Sequence, residues 1–159
     1  MGAGAGVYEG VYTGILGVGV DAVDVERFDQ LLERRPNIAV RMFTAAEQSV
    51  AEGVANRAQM LAARFAAKEA LMKSLGVGIG AFPLWDVEVM RTAGSDATRH
   101  APYFVLHGQA ADLAARSGVG RFHLSMSHTD DLAIAFVVAE AAAAGTGAVG
   151  SGTAPSAEA

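Results

Sequence analysis

The chain has 159 residues, 52% apolar and 18% charged, with a net charge of −5 and no cysteine. That size allows one domain with a substantial core, and the composition is globular rather than disordered. The negative balance disfavours non-specific nucleic-acid binding, while the lack of cysteine excludes disulfides, thiolate catalysis and cysteine-based zinc sites and fits a cytoplasmic location.

The opening "MGAGAGVYEGVYTG" lacks the basic start and apolar run of a secretory signal. Position 6 is Gly, where a myristoylation motif wants Ser or Thr. Residues 1–13 are therefore expected to be a flexible extension and 14–140 the folded domain. Residues 141–159, rich in Gly, Ala and Ser, read as a low-complexity tail. No apolar run reaches the ~20 residues of a membrane span, so no membrane association is expected.

"ILGVGVDAV" (15–23) is apolar and β-branched and predicts a strand. A helix over 25–34 follows, with Val25, Phe28, Leu31 and Leu32 toward the core and Pro36 stopping it. Thr44 and Glu47 have capping-box spacing, so a second helix starts at Thr44. A long helix over 57–75 is closed by Gly76, and "GVGIG" (76–80) is a loop. "WDVEVMR" (85–91) alternates, with Trp85, Val87 and Val89 on one face. A strand over 102–108 and a helix over 109–118 come next. "FHLSMSH" (122–128) alternates apolar Phe122, Leu124 and Met126 with polar His123, Ser125 and Ser127, and "DLAIAFVVAE" (131–140) returns as a mostly buried strand. Helices and hairpin-connected strands in this order predict an α+β fold with a long helix packed on a largely antiparallel sheet.

Within the long helix, "RFAAKEALMKSL" (64–75) sets Lys68 in the middle of the stripe formed by Leu61, Phe65, Met72 and Leu75. Two readings of that lysine stand. Either it snorkels its ammonium to water while Glu69 pairs with Lys73 four residues on, or it reaches a phosphate or a partner subunit. Asp21 at the end of the first strand, together with Glu69, Lys68 and Lys73, has the composition of a Mg²⁺–phosphate site. Magnesium takes one or two protein carboxylates and leaves the rest of its octahedron to phosphate and water. Asp21 also reads more simply as a surface aspartate or helix cap.

Other constellations are excluded. "GVGVDAV" lacks the third glycine and later acid of a dinucleotide fingerprint, and "GVGIG" lacks the Lys-Ser/Thr of a phosphate loop. Ser127 and His128 are neighbours on one strand and point to opposite faces, so they make no nucleophile–base pair. His100, His107 and His123 have no metal-ligand spacing.

"GVGVDAVDVER" (17–27), "ARFAAKEALMKSLGVGIG" (63–80), "DVEV" (86–89) and "SMSHTDDLAIAFVVAE" (125–140) together resemble the holo-acyl-carrier-protein synthases, small 4′-phosphopantetheinyl transferases. The resemblance covers about residues 15–140. It implies the 4′-phosphopantetheinyl transferase fold, a homotrimer with active sites between subunits, and transfer of phosphopantetheine from coenzyme A to a serine of an apo acyl carrier protein for fatty acid biosynthesis. By the same resemblance Asp21 and Glu69 match Mg²⁺ ligands, with Glu69 also the first candidate for general base. Lys73 matches the lysine near the pyrophosphate, Arg64 a position on the nucleotide side, and Gly76 a loop glycine approaching the coenzyme. His128 and Thr129 match the segment near the 3′-phosphate. Arg27 closely matches, and Arg34 more loosely matches, arginines that contact the carrier protein. Arg35 and Arg41 extend that basic cluster, which suits an acidic partner. A carrier domain of a large type I fatty acid synthase, a non-enzymatic docking module and a Mg²⁺-dependent phosphohydrolase are the alternatives.

Overall fold

The computed structural model describes residues 14–91 and 101–143. The expected N-terminal extension, His100 and all but the first three residues of the expected tail lie outside the described residues.

Strand β1 (Ile15–Asp24) runs directly into helix α1 (Val25–Arg34). The helix begins where Asp24 turns its carboxylate onto the backbone N–H of Arg27, at 2.8 Å, so Asp24 rather than Asp21 is the cap. Pro36 ends α1 and opens a 3-10 turn, Pro36–Ile38, which leads into a short helix the sequence did not announce, α2 (Ala39–Met42). Thr44 then caps α3 (Ala45–Ala51) through the expected capping box with Glu47. Helix α4 (Arg57–Ser74) is the long helix. Gly76 closes it in the left-handed region at φ 70°, donating its N–H to Lys73 O while Val77 N reaches Met72 O.

A 3-10 turn, Leu84–Asp86, precedes β2 (Val87–Arg91), which pairs antiparallel with β3 (Pro102–Leu106). Trp85 lies in that turn, not on the strand, and is 46% exposed; the core face expected for it is held by Val87 and Val89 alone. Asp86 accepts from Gln109 N at 2.8 Å and so fixes the start of α5 (Gly108–Arg116). Strands β4 (Val119–His128) and β5 (Leu132–Ala141) form a hairpin, and β5 lies between β4 and β1 in a three-stranded antiparallel sheet.

Helix α4 lies across one face of that sheet. Ala133, Ala135, Val137 and Ala139 of β5 face Ala62, Ala63, Ala66, Ala67 and Ala70 of the helix, all buried. Small side chains on both surfaces let the two backbones approach closely. Gly17 and Gly19 carry this further: a Cβ at Gly17 would collide with Ser74 O, and one at Gly19 with Ala70 O. The alternate residues of β5 do not enter the core. Leu132, Ile134 and Phe136 are exposed on the opposite face, so the strand is half-buried rather than mostly buried. Pairing of Val20 with Phe136 and of Ala22 with Ile134 makes that outer face a continuous apolar surface over β1 and β5.

Candidate active site

Register carries Asp21 to the helix side of the sheet. It pairs with Ala135 of β5 and follows Gly17 and Gly19 on the face that touches α4. Lys73 of α4 reaches across to it, its Nζ donating to Asp21 Oδ1 at 2.8 Å and to Val20 O at 3.0 Å. The expected Glu69–Lys73 pair is thus replaced by an Asp21–Lys73 pair, because β1 crosses close enough to compete for the ammonium. Glu69, on the same side of α4, is 9% exposed, and its Oε1 is buried with no hydrogen-bond partner among the described residues. Burial pushes the Glu69 pKa up, the Asp21 charge pushes it further, and Lys73 opposes both.

Two carboxylates on one wall, one with an orphaned buried oxygen, form a donor set that a divalent cation satisfies. Among the described residues no group of three or more His, Asp or Glu side chains gathers into a metal cage. A pair fits magnesium, which keeps water and substrate phosphate in its remaining positions.

The pair opens on a cleft of about 610 Å³ between β1, α1 and α4. Phe28 and Phe65, stacked with ring centroids 5.2 Å apart, give it an apolar wall. Arg27 and Arg34 stand on the α1 side, and Ile79 of the 76–80 loop forms a lip. The residues expected to hold a metal and those expected to meet an acidic protein therefore share one cleft.

The remaining expected site residues lie elsewhere in the chain. Arg64 and Glu69 are five positions apart on α4, roughly 140° around its axis, and Arg64 opens instead on a pocket of about 350 Å³ with His128, Asn56 and Arg91. Gly76 and Lys73 border a third depression beside β1. Thr129 lines none of these pockets; it shapes the β4–β5 turn, its Oγ1 accepting from Leu132 N at 3.1 Å.

Lys68 reaches neither water nor the cleft. It is fully buried and donates to Glu47 Oε2 at 2.6 Å, Met42 O at 2.6 Å and Leu84 O at 3.2 Å. Burial lowers its pKa, against the opposing pull of Glu47. Glu47, read from sequence as a capping residue only, also accepts from Val89 N at 3.0 Å. A pair separated by 21 residues leaves no local sequence signal. Lys68 thus ties α4 to the α2–α3 junction and the 84–86 turn.

Residues 17–137 match the sequence profile of the 4′-phosphopantetheinyl transferase superfamily. The chain belongs to this superfamily. A holo-[acyl-carrier-protein] synthase from Clavibacter sepedonicus is 49% identical over 126 residues, spanning 79% of this chain and 96% of that protein. The crystal structure of holo-[acyl-carrier-protein] synthase from Neisseria meningitidis, 34% identical, superposes with a TM-score of 0.68 over 79% of this chain and 98% of that one. A Bacillus anthracis holo-(acyl-carrier-protein) synthase solved in complex with coenzyme A (3′,5′-ADP) is 30% identical, with a TM-score of 0.64 over 81% of this chain and 99% of that one. The transferase fold is that expected from the sequence: helices packed on an antiparallel sheet.

Proposed function

We propose that the protein is a holo-acyl-carrier-protein synthase. It moves the 4′-phosphopantetheine group of coenzyme A onto a serine hydroxyl of an apo acyl carrier protein and releases adenosine 3′,5′-bisphosphate. The observation that carries this reading is the cleft itself, where Asp21 and Glu69 face the same space as Arg27 and Arg34. Carboxylates that suit a cation and arginines that suit an acidic protein are both needed to bring a pyrophosphate and a carrier serine together.

In the reaction the serine Oγ forms a bond to the phosphorus bearing pantetheine, and that phosphorus loses its bond to the oxygen bridging the pyrophosphate. Asp21 and Glu69 would hold Mg²⁺, which when bound supplies charge neutralisation at the pyrophosphate. Glu69 lines the same cleft as Arg27 and Arg34, where the carrier serine would arrive, and receives the serine proton directly or through a water. Lys73, paired with Asp21 and 51% exposed at its side chain, brings its ammonium to the same carboxylate and would stabilise or protonate the departing oxygen. Arg27 and Arg34 orient the acidic carrier, and Phe28 and Phe65 exclude water from one side of the cleft.

The catalytic unit is residues 14–140, acting as a cytoplasmic homotrimer that supplies holo carrier protein for fatty acid synthesis. Two features support the trimer. The outer face of β1 and β5 exposes Val18, Val20, Ile134 and Phe136 together, and contiguous exposed apolar side chains of this kind mark surfaces that other chains cover. The Asp21–Glu69 and Arg64–His128 groups also lie in different pockets of one chain, as they would if each active site drew on two copies.

Intact-mass spectrometry tests the reading. Apo acyl carrier protein incubated with the protein, coenzyme A and Mg²⁺ is expected to gain one phosphopantetheine, and to gain none with a chelator. Gain only on a carrier domain excised from a type I synthase would reassign the acceptor. Release of phosphopantetheine without any acceptor would favour a phosphohydrolase, and coenzyme A binding absent altogether would favour a docking module.

A further inference from the structure

Lys68 and Phe43 are both buried, and the transfer step uses neither. They are in contact: Lys68 Nζ lies over the Phe43 ring, 5.1 Å from its centroid. That is within the range of a cation–π contact, which strengthens when the cation is removed from water. The same ammonium donates to Met42 O, the carbonyl just before Phe43, and to Glu47 Oε2, both at 2.6 Å. Glu47 in turn accepts from Thr44 N at 2.9 Å and from Val89 N at 3.0 Å. Phe43 is therefore held by its ring, by the carbonyl that precedes it and, through Glu47, by the N–H of the residue that follows it.

The ring passes this position on to the cleft. Phe43 meets Phe28 of α1 edge to face, with centroids 6.3 Å apart and planes at 87°, and Phe28 stacks on Phe65 to form the apolar cleft wall. Aromatic contacts of this kind are directional, so a ring that turns carries its neighbour with it. Phe28 follows Arg27 directly on α1, and Arg34, two turns beyond Arg27, shares the same side of that helix. The third acceptor of Lys68, Leu84 O at 3.2 Å, lies at the end of the segment that carries Ile79 to the lip of the cleft. The carboxylate pair is held by other means: Gly17 and Gly19 let β1 close on α4, and Lys73 donates to Asp21 across that contact.

We propose that Lys68 is a positioning residue for the carrier-protein side of the cleft, acting through Phe43 and Phe28 on the placement of Arg27 and Arg34. This role rests on the transferase reading. Lys68 lines no part of the cleft, so it acts only through the groups it holds. No apolar side chain of the same length gives two carbonyls, a carboxylate and a ring face a common partner. One cleft is thereby set by two separate contacts. Disturbing Lys68 moves the arginines of α1, while the carboxylate pair, fixed by β1 against α4, stays in place.

The test is steady-state transfer by the full chain, with apo acyl carrier protein and coenzyme A varied in turn. Lys68→Met combined with Glu47→Gln removes the cation without stranding a buried carboxylate. Phe43→Leu keeps the ion pair and removes the ring, so the test does not hang on the folding of one variant. In both, KM for the carrier protein should rise about 10- to 100-fold, the scale of a group misplaced by about 1 Å. KM for coenzyme A, and kcat at saturating carrier protein, should hold. Leu113→Ala, in the part of the core around Leu71 and Val87, controls for lost stability and should leave both KM values unchanged. Parallel rises in the two KM values, an unchanged carrier KM in folded Phe43→Leu, or the same carrier-selective rise in Leu113→Ala would overturn the positioning role, while transfer by the wild type kept the enzymatic reading intact. A wild type that transferred nothing would overturn both.

Discussion

Glu69 and Lys68 are consecutive on α4, and burial treats them in opposite ways. Lys68 has three acceptors within hydrogen-bond reach, whereas Glu69 keeps a buried oxygen with none among the described residues and has Asp21 as a like-charged neighbour. That difference has a thermodynamic consequence. The folded-state pKa of Glu69 lies above its ordinary value of 4.5, so the folded protein retains a proton that the unfolded chain has already lost. As pH rises through that window the unfolded state binds fewer protons than the native one, and stability falls. Above it the cost of the ionised carboxylate is fully present. Glu69→Gln is therefore expected to melt at a higher temperature than wild type at neutral pH in the presence of a chelator, with the gap closing on acidification. Melting curves between about pH 4 and about pH 8 check it; a Gln variant less stable than wild type at neutral pH would mean the oxygen is satisfied by a group that Gln cannot engage. Loss of transfer in the same variant would then reflect the site rather than the fold. Breaking the Lys68–Glu47 pair is the contrasting case, since either partner alone would be left as an uncompensated buried charge.

Elements differ in how far sequence alone fixes them. The stops and starts that depend on a few neighbouring residues were legible: Pro36 after α1, the Thr44–Glu47 capping box, Gly76 after α4. Glycines 17 and 19 stand in plain view in the sequence, but what approaches them is a tertiary fact, the backbone of α4 at Ser74 and Ala70. This contact sets the height of Asp21 against Glu69 and Lys73. Gly19→Ala must push strand and helix apart, at a cost of about 1–3 kcal/mol, and should lower transfer further than the loss of folded protein explains. Urea midpoints and turnover of the folded fraction measure the two effects separately; an unchanged midpoint would show that the helix yields without strain. The features that were not legible have a common cause. Trp85 leaves its strand because a turn over Leu84–Asp86 supplies the carbonyl for Lys68 and the carboxylate for α5. Ile134 and Phe136 face outward because α4 covers only one side of β5. Each depends on a partner distant in the chain. Asp21, Glu69, Arg27 and Arg34, which the fold brings to one cleft, were singled out because they occur in short runs, while the Lys68–Glu47 pair spans 21 residues and offered no run to read.

At the scale of the whole molecule, the outer face of the sheet is divided. Val18, Val20, Ile134 and Phe136 make its β1–β5 part apolar, whereas His123, Ser125 and Ser127 of β4, paired across to Val138, Phe136 and Ile134, make the other part polar. An interface that used the apolar part alone would bring β1 of one copy against another and place Asp21, on the reverse of that strand, near a neighbour's pocket. Phe136→Glu sets a charge at the centre of this surface, and burying an unpaired carboxylate is costly enough to prevent association. The side chain is already exposed in the single chain, so the fold should survive. Sedimentation is expected to show a trimer for wild type and a monomer for Phe136→Glu, with folded circular dichroism and little transfer, while His123→Ala remains trimeric and active. Shared sites make a second demand. Mixing Asp21→Ala chains with Arg64→Ala chains, each inactive alone, should restore part of the activity, because some sites in mixed trimers would receive an intact carboxylate pair from one copy and an intact arginine from another. Full activity in monomeric Phe136→Glu, or no complementation between trimers shown to exchange subunits, would place the complete site within one chain.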